Sequence, residues 1–270
     1  FLLDGAKGVA SIPLHTTFKG SLVIVVIFLT ATALLMNSKH GRSMLAVRED
    51  ELAAQMSGIN TFRDSGGLWE NYDVMEVASA DGFRRNPSLI HRFYNDRRRE
   101  LQKAEPNAGH LGLVDLEKDY DVYIITQNVD NLHEKAGSKN ILHLHGELMK
   151  VRAIDDDTKV WTLKPEALET SPATVIEGHH VRPHIVFFQE AVPNIEPAVE
   201  LVEQADIFVV IGTSLDVYPA AGLLHYVRPG VPVYYIDPHP AAVPAGVTVL
   251  PLPASQGVAR LAAILRGHES

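Results

Sequence analysis

The residues best suited to chemistry lie in one stretch, residues 126–147, which reads TQNVDNLHEKAGSKNILHLHGE. Its polar run Gln127, Asn128 and Asp130 follows an apolar segment, 121–125, that has the character of a buried strand in a parallel sheet. A second apolar segment ends at His145. Open α/β sheets bind ligands beyond the carboxyl ends of their strands, so amides, a carboxylate and an imidazole should meet at one rim.

These residues offer both a base and hydrogen-bonding groups for a ligand. His145 is the predicted general base, because an unperturbed imidazole titrates at about pH 6.5 and is mostly neutral above pH ~7. The amides of Gln127 and Asn128 donate and accept hydrogen bonds, and the Asp130 carboxylate accepts them. Structural explanations stay open: a half-buried histidine beside a glycine turn, and an Asx turn that begins a helix. His143 is expected to point to the opposite face of the strand and to be structural.

Composition narrows the classes of function. The 270 residues carry a net charge of −9, and 46% of them are hydrophobic, which is enough for one large α/β domain or two smaller ones. An acidic chain lacks the basic face that nucleic acid requires, so no nucleic-acid partner is predicted. The absence of cysteine excludes disulfides, a thiolate nucleophile and cysteine zinc sites, and no metal is predicted.

The order of apolar and helical segments predicts the fold class. Strands are predicted at 121–126, 141–145, 184–188, 206–212, 232–236 and 247–250, and helices at 87–102, 107–118, 129–136, 195–204, 218–227 and 256–266. This alternation predicts an α/β protein with a Rossmann-like parallel sheet and helices on both faces. Residues 150–183 are expected to form a small, irregular second module.

The double motif at 126–147 resembles that of the sirtuins, the NAD-dependent protein-lysine deacylases. Other pieces follow in the family's order: Thr61-Phe62-Arg63-Asp64, Gly67-Leu68-Trp69, the run FYNDRRR at 93–99, Arg182-Pro183-His184, Gly212-Thr213-Ser214 and VYPAAG at 217–222. The resemblance covers residues 57–270. It implies a catalytic domain at 58–270, with a small module at about 62–100 and 150–183, after a separate segment at 1–57.

The resemblance implies removal of acyl groups from protein lysines, with release of nicotinamide and O-acyl-ADP-ribose from NAD. It assigns catalysis to His145, Asn128 and Asp130, and cofactor binding to Phe62, Arg63, Gln127, Asn128, Asp130, Gly212, Thr213, Ser214 and Asp237. A strand that ends in Gly-Thr-Ser can hold phosphate or ribose through backbone N–H and hydroxyl groups. A carboxylate at a strand end, such as Asp237, can accept a hydrogen bond from a ribose hydroxyl.

Three residues are assigned to the acyl-lysine protein or peptide that is the implied partner. Tyr94 and Arg97 lie three apart on a predicted helix and share a face. In sirtuins that remove acidic acyl groups, such a pair binds the acyl carboxylate, which favours succinyl- or malonyl-lysine over acetyl-lysine. The alternative is that the arginines at 97–99 form a solvated basic face. Phe188 matches the family's peptide-pairing segment, but Gln189 replaces a glycine, and its side chain is expected to obstruct the peptide or to force a different φ.

The N-terminal residues differ in character. Residues 20–38 carry no charge, and as a helix they would span about 28 Å, close to the hydrocarbon thickness of a bilayer. A membrane helix, the first strand of the sheet, a signal peptide and a disordered appendage all stay open. Residues 37–60 are similar to part of the branched-chain amino-acid ABC transporter permeases, so we expect a permease fragment fused to a truncated sirtuin. The predicted location is cytoplasmic, with membrane contact through residues 20–38.

Residues 45–57 define the alternative function. Sirtuins carry a Gly-Ala-Gly-x-Ser loop before Thr-Phe-Arg, and its backbone N–H groups hold the pyrophosphate. Residues 45–57 contain no glycine and have three acidic side chains, at 49–51. The alternatives to an active deacylase are therefore an inactive sirtuin-like pseudoenzyme, which keeps the acyl-lysine cleft but binds NAD poorly, and a membrane-tethered fragment with no activity.

Overall fold

The computed structural model describes residues 72–213, 220–240 and 243–267. The predictions for residues 1–71, which include the hydrophobic segment at 20–38, Phe62 and Arg63, lie outside the described residues, as does Ser214. No helix in the described ranges has the length and apolar character that crossing a bilayer requires.

Five parallel strands confirm the predicted Rossmann-like α/β architecture. Strand β1 (Tyr123–Thr126) pairs in parallel with β2 (Asn140–His143). A second group has the order β7-β8-β9, formed by Phe208–Ile211, Val233–Ile236 and Val247–Leu250, which are also parallel. Parallel neighbours need a crossover connection. Helix α5 (Leu132–Ala136) supplies it between β1 and β2, and a 3₁₀ helix (Ala220–Tyr226) lies between β7 and β8.

Helices cover both faces of the parallel strands. On one face, α4 (Ala108–Leu116) and α7 (Ala254–Leu265) form a core with Ile236 and Leu250. On the other face, α6 (Ile195–Gln204) and the 3₁₀ helix pack against residues of β1, β2 and β7. Strand β7 serves both cores, because its side chains alternate between the two faces.

The second module is more regular than predicted. Strands β3 (Gly146–Ala153), β4 (Val160–Thr162), β5 (Val175–Ile176) and β6 (His179–Ile185) form an antiparallel sheet in the order β4-β3-β6-β5. Its core contains Val151, Leu163, Leu168 and Val181. Short strands with few apolar residues carry a weak alternating pattern, which explains why residues 150–183 gave no strand prediction. The predicted strand at 184–188 ends early, at Ile185.

Three more helices of the described chain lie before α4, namely α1 (Val74–Val77), α2 (Ala80–Arg85) and α3 (Pro87–Lys103). The last of them packs on β3 and β6, with Ile90, Phe93 and Leu101 in one core with Leu148 and Ile185. Asn86 caps α3 by accepting a hydrogen bond from the Leu89 N–H, and Pro87 occupies the first turn, where it costs no hydrogen bond. We propose that this helix and the antiparallel sheet belong to one small module.

Arg98 joins α3 to the antiparallel sheet. Its side chain is fully buried, with 0% exposure. Nε donates to the Leu148 carbonyl at 2.8 Å, and Nη1 donates to Asn95 Oδ1 at 2.8 Å and to the Leu168 carbonyl at 3.3 Å. Burial lowers the pKa of the guanidinium to about 10, so it stays charged at neutral pH. A solvated face for all three arginines at 97–99 is therefore wrong, since Arg98 is a structural cation.

We predict that Arg98→Ala lowers the free energy of unfolding by about 3 kcal/mol or more, because it leaves buried carbonyl groups without a donor. The matched control is Arg99→Ala. Arg99 is 51% exposed and pairs with Asp96 and Glu169 at the surface, so its loss should cost less than about 1 kcal/mol. Urea unfolding of both variants is the measurement. Equal losses would contradict the role assigned to Arg98.

Candidate active site

The loop at 127–131, between β1 and α5, is held through three consecutive carbonyl groups. The Gln127 carbonyl accepts a hydrogen bond from His145 Nδ1 at 3.1 Å. The Asn128 carbonyl accepts one from His143 Nδ1 at 3.0 Å, and the Val129 carbonyl accepts one from the backbone N–H of Leu148 at 2.7 Å. The loop that carries the predicted amides and carboxylate is thereby fixed at the ends of β1 and β2.

The hydrogen bond of His145 defines its tautomer. A carbonyl oxygen can only accept, so Nδ1 carries the proton, and in the neutral ring Nε2 keeps its lone pair. The backbone carbonyl of His145 also accepts from the Val186 N–H at 2.9 Å, which ties the residue to the chain leaving β6. His145 is half-buried. The arrangement is that of an oriented imidazole whose Nε2 can take up a proton.

The expectation that His143 points away from His145 was wrong. Side chains two apart along a strand share a face, and the two rings donate to adjacent carbonyls of one loop. His143 is buried, as expected, and its Nε2 lies 2.8 Å from Glu134 Oε1 on α5. Glu134 was not singled out from the sequence. The sequence spacing of Glu134 from His143 does not predict their contact, because the contact depends on how α5 packs against β2.

A metal centre has one candidate among the described residues, and the geometry argues against it. Atoms of Glu134, His143 and Glu147 lie within 4.8 Å of one another. However, both ring nitrogens of His143 already face oxygen acceptors, and Glu147 pairs with Lys150 at 2.6 Å. The group is therefore explained as a set of ion pairs, and we assign it no metal.

The side chains of the loop fit a ligand that has amide and hydroxyl groups. Gln127 Oε1 is buried and has no partner among the described residues, so it can accept from a carboxamide N–H or a sugar O–H. The Asn128 side chain is exposed. Asp130 Oδ1 accepts from the Leu132 N–H at 3.0 Å, so the Asx turn is present. Burial raises the pKa of the Asp130 carboxyl, although this hydrogen bond and the charges of His110 and His143 oppose the rise.

The second predicted cofactor segment lies at the ends of β7 and β8. Gly212 has φ +60°, the left-handed region that favours glycine, and its N–H donates to the Ile236 carbonyl at 2.8 Å. That N–H is therefore unavailable to a phosphate. The Thr213 carbonyl accepts from the Tyr235 hydroxyl at 2.9 Å. Asp237 follows β8 directly, so it lies beside Gly212 at the carboxyl end of the strands, where its Oδ1 accepts from the His239 N–H.

Tyr94 and Arg97 are both buried in the core beneath α3. Tyr94 packs against Phe187 with ring centroids 6.0 Å apart, and Val129 of the loop packs against the same core. Burial raises the pKa of the Tyr94 phenol, which Arg182, Arg98 and Arg97 oppose. The predicted substrate pair and the predicted cofactor loop therefore share one apolar cluster.

The Arg97 guanidinium is 8% exposed and only partly neutralised. Nη2 donates to Glu100 Oε1 at 3.2 Å, whereas Nε and Nη1 are buried and have no partner among the described residues. Burial lowers its pKa. A buried cation with unused donors has the chemistry of a carboxylate receptor, because a charged N–H group forms a strong hydrogen bond with a carboxylate oxygen.

Phe188 has a different backbone partner from the one expected. Its N–H donates to the Ala78 carbonyl at 2.8 Å, and its carbonyl accepts from the Ala80 N–H at 3.3 Å. The backbone of Phe188 is thus occupied within the chain, while its ring is 52% exposed. Gln189 does not force a different φ. It has φ +77°, in the region favoured by glycine, and its side chain turns to Asp81, with Nε2 donating to Oδ2 at 3.0 Å.

The fold and the strand-end site are those of a Rossmann-like α/β domain. A family model described as the Sir2 family matches residues 53–219. The chain belongs to the Sir2 family. It is 53% identical to an NAD-dependent protein deacylase of Bacteroides thetaiotaomicron over 215 residues, which are 77% of this chain and 92% of that protein. It is 50% identical to one of Helicobacter pylori over 182 residues, 67% of this chain and 79% of that protein.

Solved structures agree. A Sir2 homologue bound to NAD superimposes with a TM-score of 0.70 at 32% identity, over 81% of this chain and 87% of the other. A mutant Sir2 homologue bound to ADP-ribose has a TM-score of 0.72 at 31% identity, over 86% of this chain and 97% of the other. The comparisons give no support to the permease resemblance predicted for residues 1–56.

Two histidines predict how stability depends on pH. Burial lowers the pKa of the half-buried His133, whose ring centroid lies 4.7 Å from that of His110, to about 4, and burial does the same for His91. Both rings have folded pKa values below that of an unfolded histidine, so stability is complete above pH ~6.5 and falls as the pH drops towards ~4. Each ring contributes a slope of about 1.4 kcal/mol per pH unit at most.

We predict that His133→Gln flattens this acid loss, because the replaced side chain no longer binds a proton in the unfolded state. The measurement is the free energy of unfolding in urea from pH 7 to pH 4, compared between the variant and the parent protein. His180→Gln is the control, since His180 is exposed. The prediction fails if the two variants show the same slope.

Proposed function

We propose that the protein is an NAD-dependent protein deacylase that acts on acyl-lysine side chains of proteins or peptides. The cofactor is NAD. The observation that carries this proposal is the pair formed by His145 and the 127–131 loop. The imidazole has its Nδ1 proton fixed by the Gln127 carbonyl, and it stands beside a loop in which the buried Gln127 Oε1 has no partner among the described residues. Membership of the Sir2 family and the names of its deacylase relatives support the same activity.

The residues of the chain have separate tasks. Bound NAD supplies a glycosidic bond whose cleavage releases nicotinamide and makes a sugar carbon available to the acyl oxygen. Gln127, Asn128 and Asp130 hold the carboxamide and ribose hydroxyl groups. Gly212 shapes the turn after β7, where Thr213 and Asp237 hold the other end of the dinucleotide. His145 Nε2 accepts a proton from a hydroxyl in the cleft. The Gln127 carbonyl fixes the proton on Nδ1, which leaves the lone pair of Nε2 for this transfer.

We further infer a preference for acidic acyl groups, succinyl or malonyl. The Arg97 guanidinium is buried, and its Nε and Nη1 have no partner in the described part of the chain. Burial of a cation whose N–H donors have no partner costs roughly several kcal/mol of folding free energy in an apolar environment. An acyl carboxylate would accept from Nη1, and the Tyr94 hydroxyl would add a second donor. Phe188, whose ring is exposed, would contact the peptide side of the substrate.

We predict that His145→Ala lowers the rate of nicotinamide release from NAD by roughly 100-fold or more in the presence of an acyl-lysine peptide. This is the effect expected for loss of a general base. The control is His180→Ala. His180 also directs Nδ1 towards a backbone carbonyl, that of Pro172, but it lies on the antiparallel sheet far along the chain. Full activity of the His180 variant would separate the role of His145 from a general effect of losing a histidine.

The assay also decides between the two candidate functions. Release of nicotinamide that depends on His145 supports the enzyme. A folded parent protein that releases none at high NAD concentration overturns it and leaves the pseudoenzyme, which would still bind acyl-lysine peptide.

We predict that Arg97→Met lowers kcat/KM for a succinyl-lysine peptide by about 100-fold, while kcat/KM for the acetyl-lysine peptide stays within about threefold. A charged, hydrogen-bonded contact to the acyl carboxylate is worth roughly 3 kcal/mol, and an acetyl group cannot use it. Because methionine removes a buried charge with unused donors, the variant should unfold at the same or a higher urea concentration than the parent.

The matched control for this experiment is Arg99→Met, two residues further along α3 but exposed and paired at the surface. It should leave both rates unchanged. An equal loss of activity on the two peptides in the Arg97 variant would count against the acyl preference, although not against the deacylase itself.

A further inference from the structure

His143 lies between two hydrogen-bond acceptors. On one side, Nδ1 lies 3.0 Å from the Asn128 carbonyl oxygen. On the other side, Nε2 lies 2.8 Å from Glu134 Oε1. A carbonyl oxygen cannot donate, and an ionised carboxylate cannot donate either. Two hydrogen bonds of this kind require a proton on each nitrogen, which only the imidazolium form of histidine has.

We propose that His143 is a positively charged positioning residue that holds the Asn128 carbonyl, and with it the cofactor loop, in the geometry that binds NAD. The inference rests on the proposed function in one respect, namely that the 127–131 loop contacts the cofactor. It gives the two histidines of the motif different roles. His145 donates through Nδ1 to one carbonyl, whereas both ring nitrogens of His143 face acceptors.

The groups around His143 favour its charge. Glu134 faces it from α5 and Glu147 faces it from β3, and both carboxylates favour the protonated ring. The charge of His143 also favours the ionised form of Asp130 in the loop by lowering its pKa. His133 on α5 is neutral, because burial lowers its pKa to about 4. Burial opposes protonation of His143, but the hydrogen bonds to Glu134 and Asn128 prevail and raise its pKa above the usual value. Burial likewise opposes ionisation of Glu134, and the bond from His143 prevails there.

The effect of this contact reaches the loop through the backbone. Asn128 has a second anchor, because its N–H donates to Thr126 Oγ1 at 3.0 Å. The peptide groups on both sides of the Asn128 side chain are therefore held, one by the end of β1 and one by His143 on β2. Loss of the His143 contact would release the second group and allow the exposed Asn128 amide to turn away. This predicts weaker binding of the cofactor with little change in the chemical step, which appears as a higher KM.

Two substitutions separate the contacts of His143. In His143→Asn the side-chain amide nitrogen can occupy the position of Nδ1 and still donate to the Asn128 carbonyl. In His143→Gln the amide nitrogen can occupy the position of Nε2 and donates to Glu134 instead. We expect His143→Gln to raise the KM and the dissociation constant for NAD by about tenfold, the value of one hydrogen bond, with kcat within about threefold. His143→Asn should restore most of the affinity.

The charge is tested separately, without turnover. Nitrogen NMR of the histidine-labelled full chain should show both ring nitrogens of His143 protonated at pH 7.5. NAD affinity should fall as the pH rises through the pKa of His143, because the ring then loses one of its two donors. Glu134→Gln should lower that pKa and so shift the fall in NAD affinity to lower pH. His143→Asn should remove the fall. Because the folded pKa is raised, the pair also contributes stability that is present below pH ~6.5 and is lost as the pH rises through the folded value.

The outcomes are distinct. A neutral His143 at pH 7.5 overturns the charge. Equal NAD affinity in the two His143 variants, with only a common loss of stability, overturns the positioning role and leaves a structural residue. Absence of NAD binding by the parent protein also overturns the positioning role. Absence of nicotinamide release from a parent protein that binds NAD tightly overturns the deacylase proposal alone, because the NMR and binding measurements do not require turnover.

Discussion

The site depends on three hydrogen bonds to consecutive carbonyl groups, those of Gln127, Asn128 and Val129. The donors are two histidine rings and one backbone N–H, and they come from β2, from the residues just after it and from β3. A loop at the end of a strand would otherwise be free to adopt several conformations, and each residue fixed there costs about 1–2 kcal/mol of entropy. Bonding the backbone in this way leaves the side chains of the loop available for a ligand.

The same core shows how one sequence separates structural from functional charge. Arg97 and Arg98 are adjacent on α3 and both are buried. Arg98 directs its donors to carbonyl groups of the antiparallel sheet and acts as a structural cross-link. Arg97 keeps two donors without partners among the described residues, which costs stability unless a ligand supplies an acceptor. Under the proposed acyl preference, that acceptor is the carboxylate of the substrate.

The antiparallel module is organised without cysteine by packing and by ion pairs. Its core is apolar, and Arg182 binds Glu190 through two N–H groups while its guanidinium stacks on Phe187, 3.9 Å from the ring centroid. Glu190 also accepts from the Phe187 N–H at 2.8 Å, so the turn that contains Phe188 and Gln189 is closed by one carboxylate. The positive φ of Gln189 is held in this turn, with its side chain bonded to Asp81.

The sequence by itself determined the α/β class, the helices at 87–103 and 195–204, the parallel strands and the motif at 126–147, because strong apolar periodicity and local turn chemistry are written in neighbouring residues. It did not determine the antiparallel sheet, whose short strands alternate weakly, or the face to which His143 points. Only the tertiary structure decided that Arg98 donates to backbone carbonyl groups while Nε and Nη1 of Arg97 have no partner among the described residues. It also decided that Glu134 reaches His143. Such contacts join residues distant in sequence, and their geometry depends on how separate elements pack, which no local pattern records.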